Sequence, residues 1–259
     1  MTLKIPWKVG TPSFIIPGTW EENCEYLHNK VDYIQLLLLE DIPNDQLPSK
    51  DEISKLKFIK NKYNLTYTAH LPHRIQFSHP QKDLRNNSIE RIKKIFDLID
   101  DVGIKYYVLH PYIYDTAGDD FLKSSLYHFQ NSLSELLSYY PFPRKIGLES
   151  LHFNFHHLAP IIKELDTSVI IDIGQALRYK KDYFSYINTY FERIIDIHLR
   201  GFDGIKDHES LSYIDPLTIR NILKTLIDKK YKKNMLIEIF TESNFNESMT
   251  ILDKLITKL

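Results

Sequence analysis

A closed, eight-stranded (β/α)8 barrel is the fold the sequence predicts. Short apolar runs alternate strictly with longer amphipathic ones, as in a parallel sheet joined by crossover helices. Eight such pairs fill 259 residues, close to the length of one such barrel. The competing arrangement, an open doubly wound sheet, calls for a glycine-rich phosphate turn after its first strand. The segment Gly10-Thr11-Pro12-Ser13 is no such turn, and the chain has only eight glycines. No linker or low-complexity tract interrupts the pattern, so residues 1–259 read as a single α/β TIM-barrel domain.

Taken in order, the first strand, Val9–Ile16, leads to a helix over Trp20–Asn29 behind Gly18-Thr19, a plausible cap. The second, Tyr33–Glu40, precedes Asp51–Tyr63, where Ile53, Leu56, Phe58 and Ile59 recur near helical spacing. The third, Thr66–Pro72, precedes Asn87–Val102, whose apolar face is Ile89, Ile92, Ile95, Phe96 and Ile99. Strand Tyr106–Tyr112 pairs with helix Phe121–Tyr139, and strand Lys145–Ser150 with helix Phe155–Leu165. Strand Val169–Gly174 pairs with helix Tyr183–Phe191, Ile194–Gly201 with Asp215–Lys229, and Met235–Phe240 with Asn246–Lys258. Several strands are apolar nearly throughout, as strands covered on both faces should be.

Composition narrows the function. The chain is 43% hydrophobic and 26% charged, an ordinary globular balance. Its formal net charge is −1, without the basic excess that duplex nucleic acid demands. The lysine pairs Lys229-Lys230 and Lys232-Lys233 sit near a predicted helix end, where cations suit the helix dipole. Cys24 is the only cysteine, so no internal disulfide can form. Its N-terminal segment lacks the apolar run of a signal peptide, and Leu36–Leu39 is far too short to span a bilayer. The expectation is a cytoplasmic protein with no membrane and no duplex nucleic acid among its partners.

Chemistry-bearing residues stand at the ends of the apolar runs: His70 in TAHLP, His110 in VLHPY, Glu149 in GLES, Asp172 in IIDIG, His198 in DIHLRG and Glu238 in LIEIF. In a parallel barrel, the reactive side chains gather at the carboxyl ends of the strands. A carboxylate among isoleucines, as at Asp172 and Glu238, is costly to desolvate unless paired or metal-bound. Any one histidine at a strand end is commonly a hydrogen-bonded core or surface residue. Six suitable donors on strands three to eight point instead to a divalent-metal site. Mixed nitrogen and oxygen donors suit Zn, Mn or Fe.

Those residues resemble the xylose-isomerase-like barrel superfamily, which includes endonuclease IV and sugar isomerases and epimerases, and the resemblance covers essentially the whole chain. It implies that Glu149, Asp172, His198 and Glu238 hold one metal, with the two glutamates also able to act as acid and base. His70 and His110 match the extra histidines of the endonuclease IV branch, implying a second metal bridged by Glu149. A third metal of that branch uses a histidine shortly after the Asp172 position and an Asp-x-His element. Here Gln175 stands at the first place and Lys206-Asp207-His208 at the second, so only His208 clearly matches. The chain is also similar to the cobamide-remodelling phosphodiesterase family CbiR in VGTPSFIIP, VDYIQLLLLE, LTYTAHLP, IDIGQAL and DHESL. It departs from that family's usual pattern at Gln35 and Gln175.

The expectation from this resemblance is a phosphodiesterase with two divalent metals that hydrolyses the phosphoribosyl linkage in the nucleotide loop of a cobamide. Glu149, Glu238 and His208 are the expected catalytic residues. Lys206, Arg200 and Glu40 are the expected substrate contacts, Arg200 and Lys206 at phosphate and Glu40 at an amide-rich corrinoid rim; the unremarkable alternatives are loop and salt-bridge residues. Asp207 is a possible stand-in ligand. His73, Arg74, His152, Asn154, His156 and His157 belong to loops and are expected to be mostly solvated. A sugar isomerase or epimerase with one metal is the main alternative, and an abasic-site endonuclease another.

Overall fold

Eight parallel strands close into a barrel. They are β1 (Lys8–Pro12), β2 (Tyr33–Leu37), β3 (Tyr67–His70), β4 (Ile104–Leu109), β5 (Ile146–Glu149), β6 (Ser168–Asp172), β7 (Ile194–Leu199) and β10 (Asn234–Ile237). Their order around the barrel is β1-β10-β7-β6-β5-β4-β3-β2. A short antiparallel hairpin, β8 (Gly201–Phe202) and β9 (Asp207–Glu209), follows β7. The computed structural model describes residues 5–38, 47–115 and 118–258. Glu40, an expected corrinoid contact, lies outside the described residues.

Helices wrap the barrel: α1 (Trp20–Leu27), α2 (Lys50–Tyr63), α3 (Lys82–Ile99), α4 (Asp119–Tyr139), α5 (Ala159–Glu164), α6 (Ile173–Arg178), α7 (Tyr183–Tyr190), α8 (Pro216–Asp228) and α9 (Glu242–Ile256). The expected cap at Thr19 forms a capping box, its side chain accepting from Glu22 N while the Glu22 carboxylate accepts from Thr19 N. Along α3 the expected residues Ile89, Ile92, Ile95, Phe96 and Ile99 are all buried. Odd-numbered strand residues such as Tyr107, Leu109, Ile171 and Ile197 join these helix faces in one large core. Inside the barrel, a separate apolar cluster of Tyr106, Val108 and Ile170, with Ile195 against it, forms a small plug.

Differences from the sequence expectation occur at strand ends and have local causes. The first strand stops at Pro12 because the backbone N–H groups of Ile15 and Ile16 turn to the Asn23 side chain, at 2.7 and 3.0 Å. The sixth strand stops at Asp172, which caps α6 by accepting from Gln175 N at 2.8 Å. That cap starts a short helix where the sequence suggested strand to Gly174. The helix expected over Phe155–Leu165 begins with a 3-10 turn, Phe155–Leu158, before α5. No helix among the described residues is long and apolar enough to cross a membrane.

Candidate metal centre

Four neighbouring strands deliver Glu149, Asp172, His198 and Glu238 to one point. Glu149 ends β5 and Asp172 ends β6. His198 is directly opposite Asp172 on β7. It also pairs with Leu236 of β10, so the pleat brings Glu238, two residues on, to the same face. All four are buried, at 0–4% exposure, and one donor atom from each lies within 4.8 Å of the others.

A second group stands beside the first. His70 ends β3 and His110 follows β4. Their Nε2 atoms are 3.1 Å apart and face the same oxygen of Glu149, at 3.5 Å from His70 and 2.6 Å from His110. The other Glu149 oxygen faces Nδ1 of His198 at 2.7 Å. One carboxylate thus spans two donor groups.

His73, expected as a mostly solvated loop residue, joins this second group. Its Nδ1 lies 3.3 Å from Nδ1 of His110, and its ring is 4.8 Å from the rings of both His70 and His110. Burial, then the charges at His70 and His110, push its pKa down to about 3. The loop after β3 turns back over the barrel mouth, a path that the local sequence does not encode.

Charge in the centre is unevenly balanced. Burial opposes the ionisation of Glu149, but His198 and His110 outweigh it and hold the carboxyl well below its usual range. Burial likewise opposes charge on His198, but Glu149 and Glu238 keep its pKa well above the ordinary value. Asp172 goes the other way: burial, reinforced by Glu238 and Glu149, pushes it up to about 7 despite the neighbouring guanidinium of Arg200. Three carboxylates therefore share too little positive charge. One Glu149 oxygen and both ring nitrogens of His198 are buried without a hydrogen bond of ordinary geometry. This donor set, short of cations and with unused lone pairs, fits a divalent metal.

Arg200 is 3% exposed and turns inward. Its Nη1 donates to Asp172 at 2.5 Å and to Glu238, and its Nε donates to Asp207 at 2.9 Å. Where the sequence suggested a phosphate contact, the structure gives three carboxylates. His198 and Arg200 are two residues apart on an extended chain, so the pleat places both on the inner face. The same rule places Asp196 there, a buried carboxylate that sequence reasoning missed among the strand-end residues.

Hairpin residues complete the rim. His208 stacks on Phe240 at 4.4 Å, and its Nε2 is 3.8 Å from Glu238. Burial pushes its pKa down to about 4 against the pull of Glu238. Asp207 accepts from Arg178 at 2.7 Å as well as from Arg200. Burial opposes its ionisation, but Arg200 brings its pKa down to about 2. Lys206 is exposed in the turn, where its backbone N–H donates to Asp203. Elsewhere on the rim, His156 is tied to Ser185 at 3.0 Å and stacked on Tyr190, a packing role.

This arrangement is a parallel barrel with a carboxylate–imidazole quartet at its mouth that could hold a divalent metal. The chain belongs to the xylose isomerase-like TIM barrel family, whose profile matches residues 28–255. It is similar in structure to a D-tagatose 3-epimerase-like protein, with a TM-score of 0.79 at 18% identity over 97% of each chain. Endonuclease IV from Thermus thermophilus is similar with a TM-score of 0.74 at 14% identity, over 97% of this chain and 100% of that one. For the 3-keto-D-glucoside 4-epimerase YcjR from E. coli the TM-score is 0.70 at 16% identity, over 97% of this chain and 99% of that one. At these identities the likeness is one of fold. No curated protein sequence matches the chain.

Proposed function

We propose that this protein is a metal-dependent phosphodiesterase, acting on the phosphoribosyl linkage in the nucleotide loop of a cobamide. One observation carries the hydrolytic reading: Glu149 presents one oxygen to His70 and His110 and the other to His198. In a mononuclear sugar enzyme His70 and His110 would instead touch substrate or hold Glu149 in place. The cobamide assignment is finer and rests on the sequence resemblance alone.

Divalent metals held there would supply Lewis-acid polarisation of a phosphoryl oxygen and a nucleophilic water at neutral pH. His70, His110 and Glu149 would hold one, with Asp172, His198, Glu238 and the second oxygen of Glu149 holding the other. The chain's own residues do the rest. His208, kept neutral by burial against the pull of Glu238, would orient a phosphate oxygen through its ring N–H. Arg200 keeps Asp172 and Glu238 in place. Lys206, on the exposed hairpin turn, offers a cation to the approaching substrate.

The quartet by itself favours a second reading, a sugar epimerase with Glu149 and Glu238 as the proton-transfer pair. Metal counting and a substrate assay separate the two. Elemental analysis should give two metals per chain in the wild type and one after His70→Ala with His110→Ala. Incubation with adenosylcobalamin and pseudocobalamin should yield a cobinamide-type product by mass analysis. One metal per chain, unchanged by the double substitution, together with epimerisation of a ketose, would establish the sugar enzyme instead. Two metals with no corrinoid cleavage would retain the hydrolase and remove the cobamide.

A further inference from the structure

Beneath the quartet lies a charged group that the chemistry above does not use. Asp196 is fully buried inside the barrel, two residues before His198 on β7. Tyr33 donates to both of its oxygens at 2.9 Å, Tyr106 donates at 2.6 Å, and the backbone N–H of Ile197 donates at 2.8 Å. Asn234 in turn donates to the Tyr106 hydroxyl at 3.2 Å. Four strands thus cooperate to hold one carboxylate. Taking a carboxylate out of water is costly, so such a cage calls for a reason.

That reason is visible in the ring above it. His198 turns Nδ1 towards Glu149 and Glu238, at 2.7 and 3.7 Å, and Nε2 towards Asp196 at 3.6 Å. We infer that Asp196 is a positioning residue for the metal centre: clamped by Tyr33 and Tyr106, it fixes the orientation and tautomer of His198, with the proton on Nε2 and Nδ1 free to ligate. The 3.6 Å separation is slightly long for a hydrogen bond. A carboxylate behind a ligating imidazole raises the basicity of the ring and holds it in line.

The phenol cage explains why the carboxylate does not simply turn towards the metals itself. Three of its contacts come from below or from its own strand, so it keeps its place under the ring. Glycine at position 10 belongs to the same construction. A Cβ there would come within 2.4 Å of the Tyr33 ring, so only glycine lets that ring lie across the barrel floor.

This inference rests on the quartet being a metal centre and not on the reaction it performs. The test is zinc affinity of the full-length protein, by chelator competition, in wild type, Asp196→Asn and Tyr33→Phe. Asparagine should weaken zinc about 10- to 100-fold, and the loss of one phenol should weaken it less. In zinc-loaded protein, the His198 Nε2–H should give a hydrogen-bonded, slowly exchanging proton in the wild type and a faster-exchanging one in Asp196→Asn, read by ¹H–¹⁵N NMR of the ring. Should asparagine prevent folding, Tyr33→Phe and Tyr106→Phe carry the same test through the orientation of Asp196. Zinc affinity and ring-proton exchange unchanged in every folded variant would overturn the role of Asp196. A wild type that binds no divalent metal would instead overturn the metal centre.

Discussion

Arg200 is the residue on which the charge balance of the centre turns. Buried between Asp172 and Glu238, it stands as the internal cation of three crowded carboxylates. Removing one partner from a buried ion pair strands the others, at a cost of about 3 kcal/mol. Arg200→Met should therefore destabilise the chelated protein by about that amount. With saturating zinc the deficit should shrink, because the metal supplies positive charge to the same oxygens. Urea denaturation in chelator and in zinc measures both values, and an equal loss in the two media would show that Arg200 and metal do not share this task. Asp172, His198 and Glu238 were legible in the sequence because each ends or nearly ends an apolar strand. The sequence left the direction of Arg200 open; period-two geometry, once β7 is seen to run on through residue 200, places residues 196, 198 and 200 on one face. His73 was not legible, because its position depends on how the loop after β3 folds over His110.

At the scale of elements, the barrel was readable and its terminations were not. Periodicity separates strands from helices, but it does not show that Asp172 caps α6, nor that β7 runs on into a hairpin. Both features arise from side-chain-to-backbone and strand-edge bonds that lack a repeating pattern. The hairpin matters because it presents Asp207 to Arg200 and His208 to Glu238. It folds against the stretch after β9 at Gly201, where an added Cβ would lie 1.9 Å from the carbonyl oxygen of Ser210. Backbone cannot give way as a flexible side chain can, so Gly201→Ala should push the hairpin away from the mouth. The expected cost is about 1–3 kcal/mol of stability, as for overpacking elsewhere. Turnover should fall about tenfold or more as Asp207 and His208 leave their partners, because small misplacements at a catalytic centre are felt strongly. Thermal denaturation together with steady-state kinetics in the assay proposed above checks this; an alanine variant with wild-type turnover would mean the hairpin takes no part in the reaction.

Across the whole molecule, the buried groups at the barrel mouth set how stability responds to pH. His73 and His208 titrate in the folded chain at about 3 and about 4, below their ordinary 6.5. The unfolded chain therefore takes up their protons first, and stability is lost as pH falls from 6.5 towards 3. Asp207 and Glu238, both brought down to about 2 from 3.8 and 4.5, add a further loss as pH falls from 4.5 towards 2. Asp172 has the opposite sign. Raised from 3.8 to about 7, it contributes stability below 3.8 that disappears as pH rises through 7. The two histidines outweigh the one aspartate between pH 3.8 and 7, so stability of the chelated protein should rise to about pH 7; above that His198, held charged well above its ordinary 6.5, loses its contribution as pH rises through its raised value. Metal changes this on one side only. Holding Asp172 ionised and taking the proton from the ligating nitrogen of His198, it should remove the alkaline decline and release protons when it binds near pH 6. Denaturation over a pH series, with chelator and with zinc, should show the alkaline limb flatten while the acid limb persists. Calorimetry in buffers of differing ionisation enthalpy should count the released protons. Zinc binding with no proton release at that pH would mean that Asp172 and the ligating nitrogen of His198 have already lost their protons in the chelated protein.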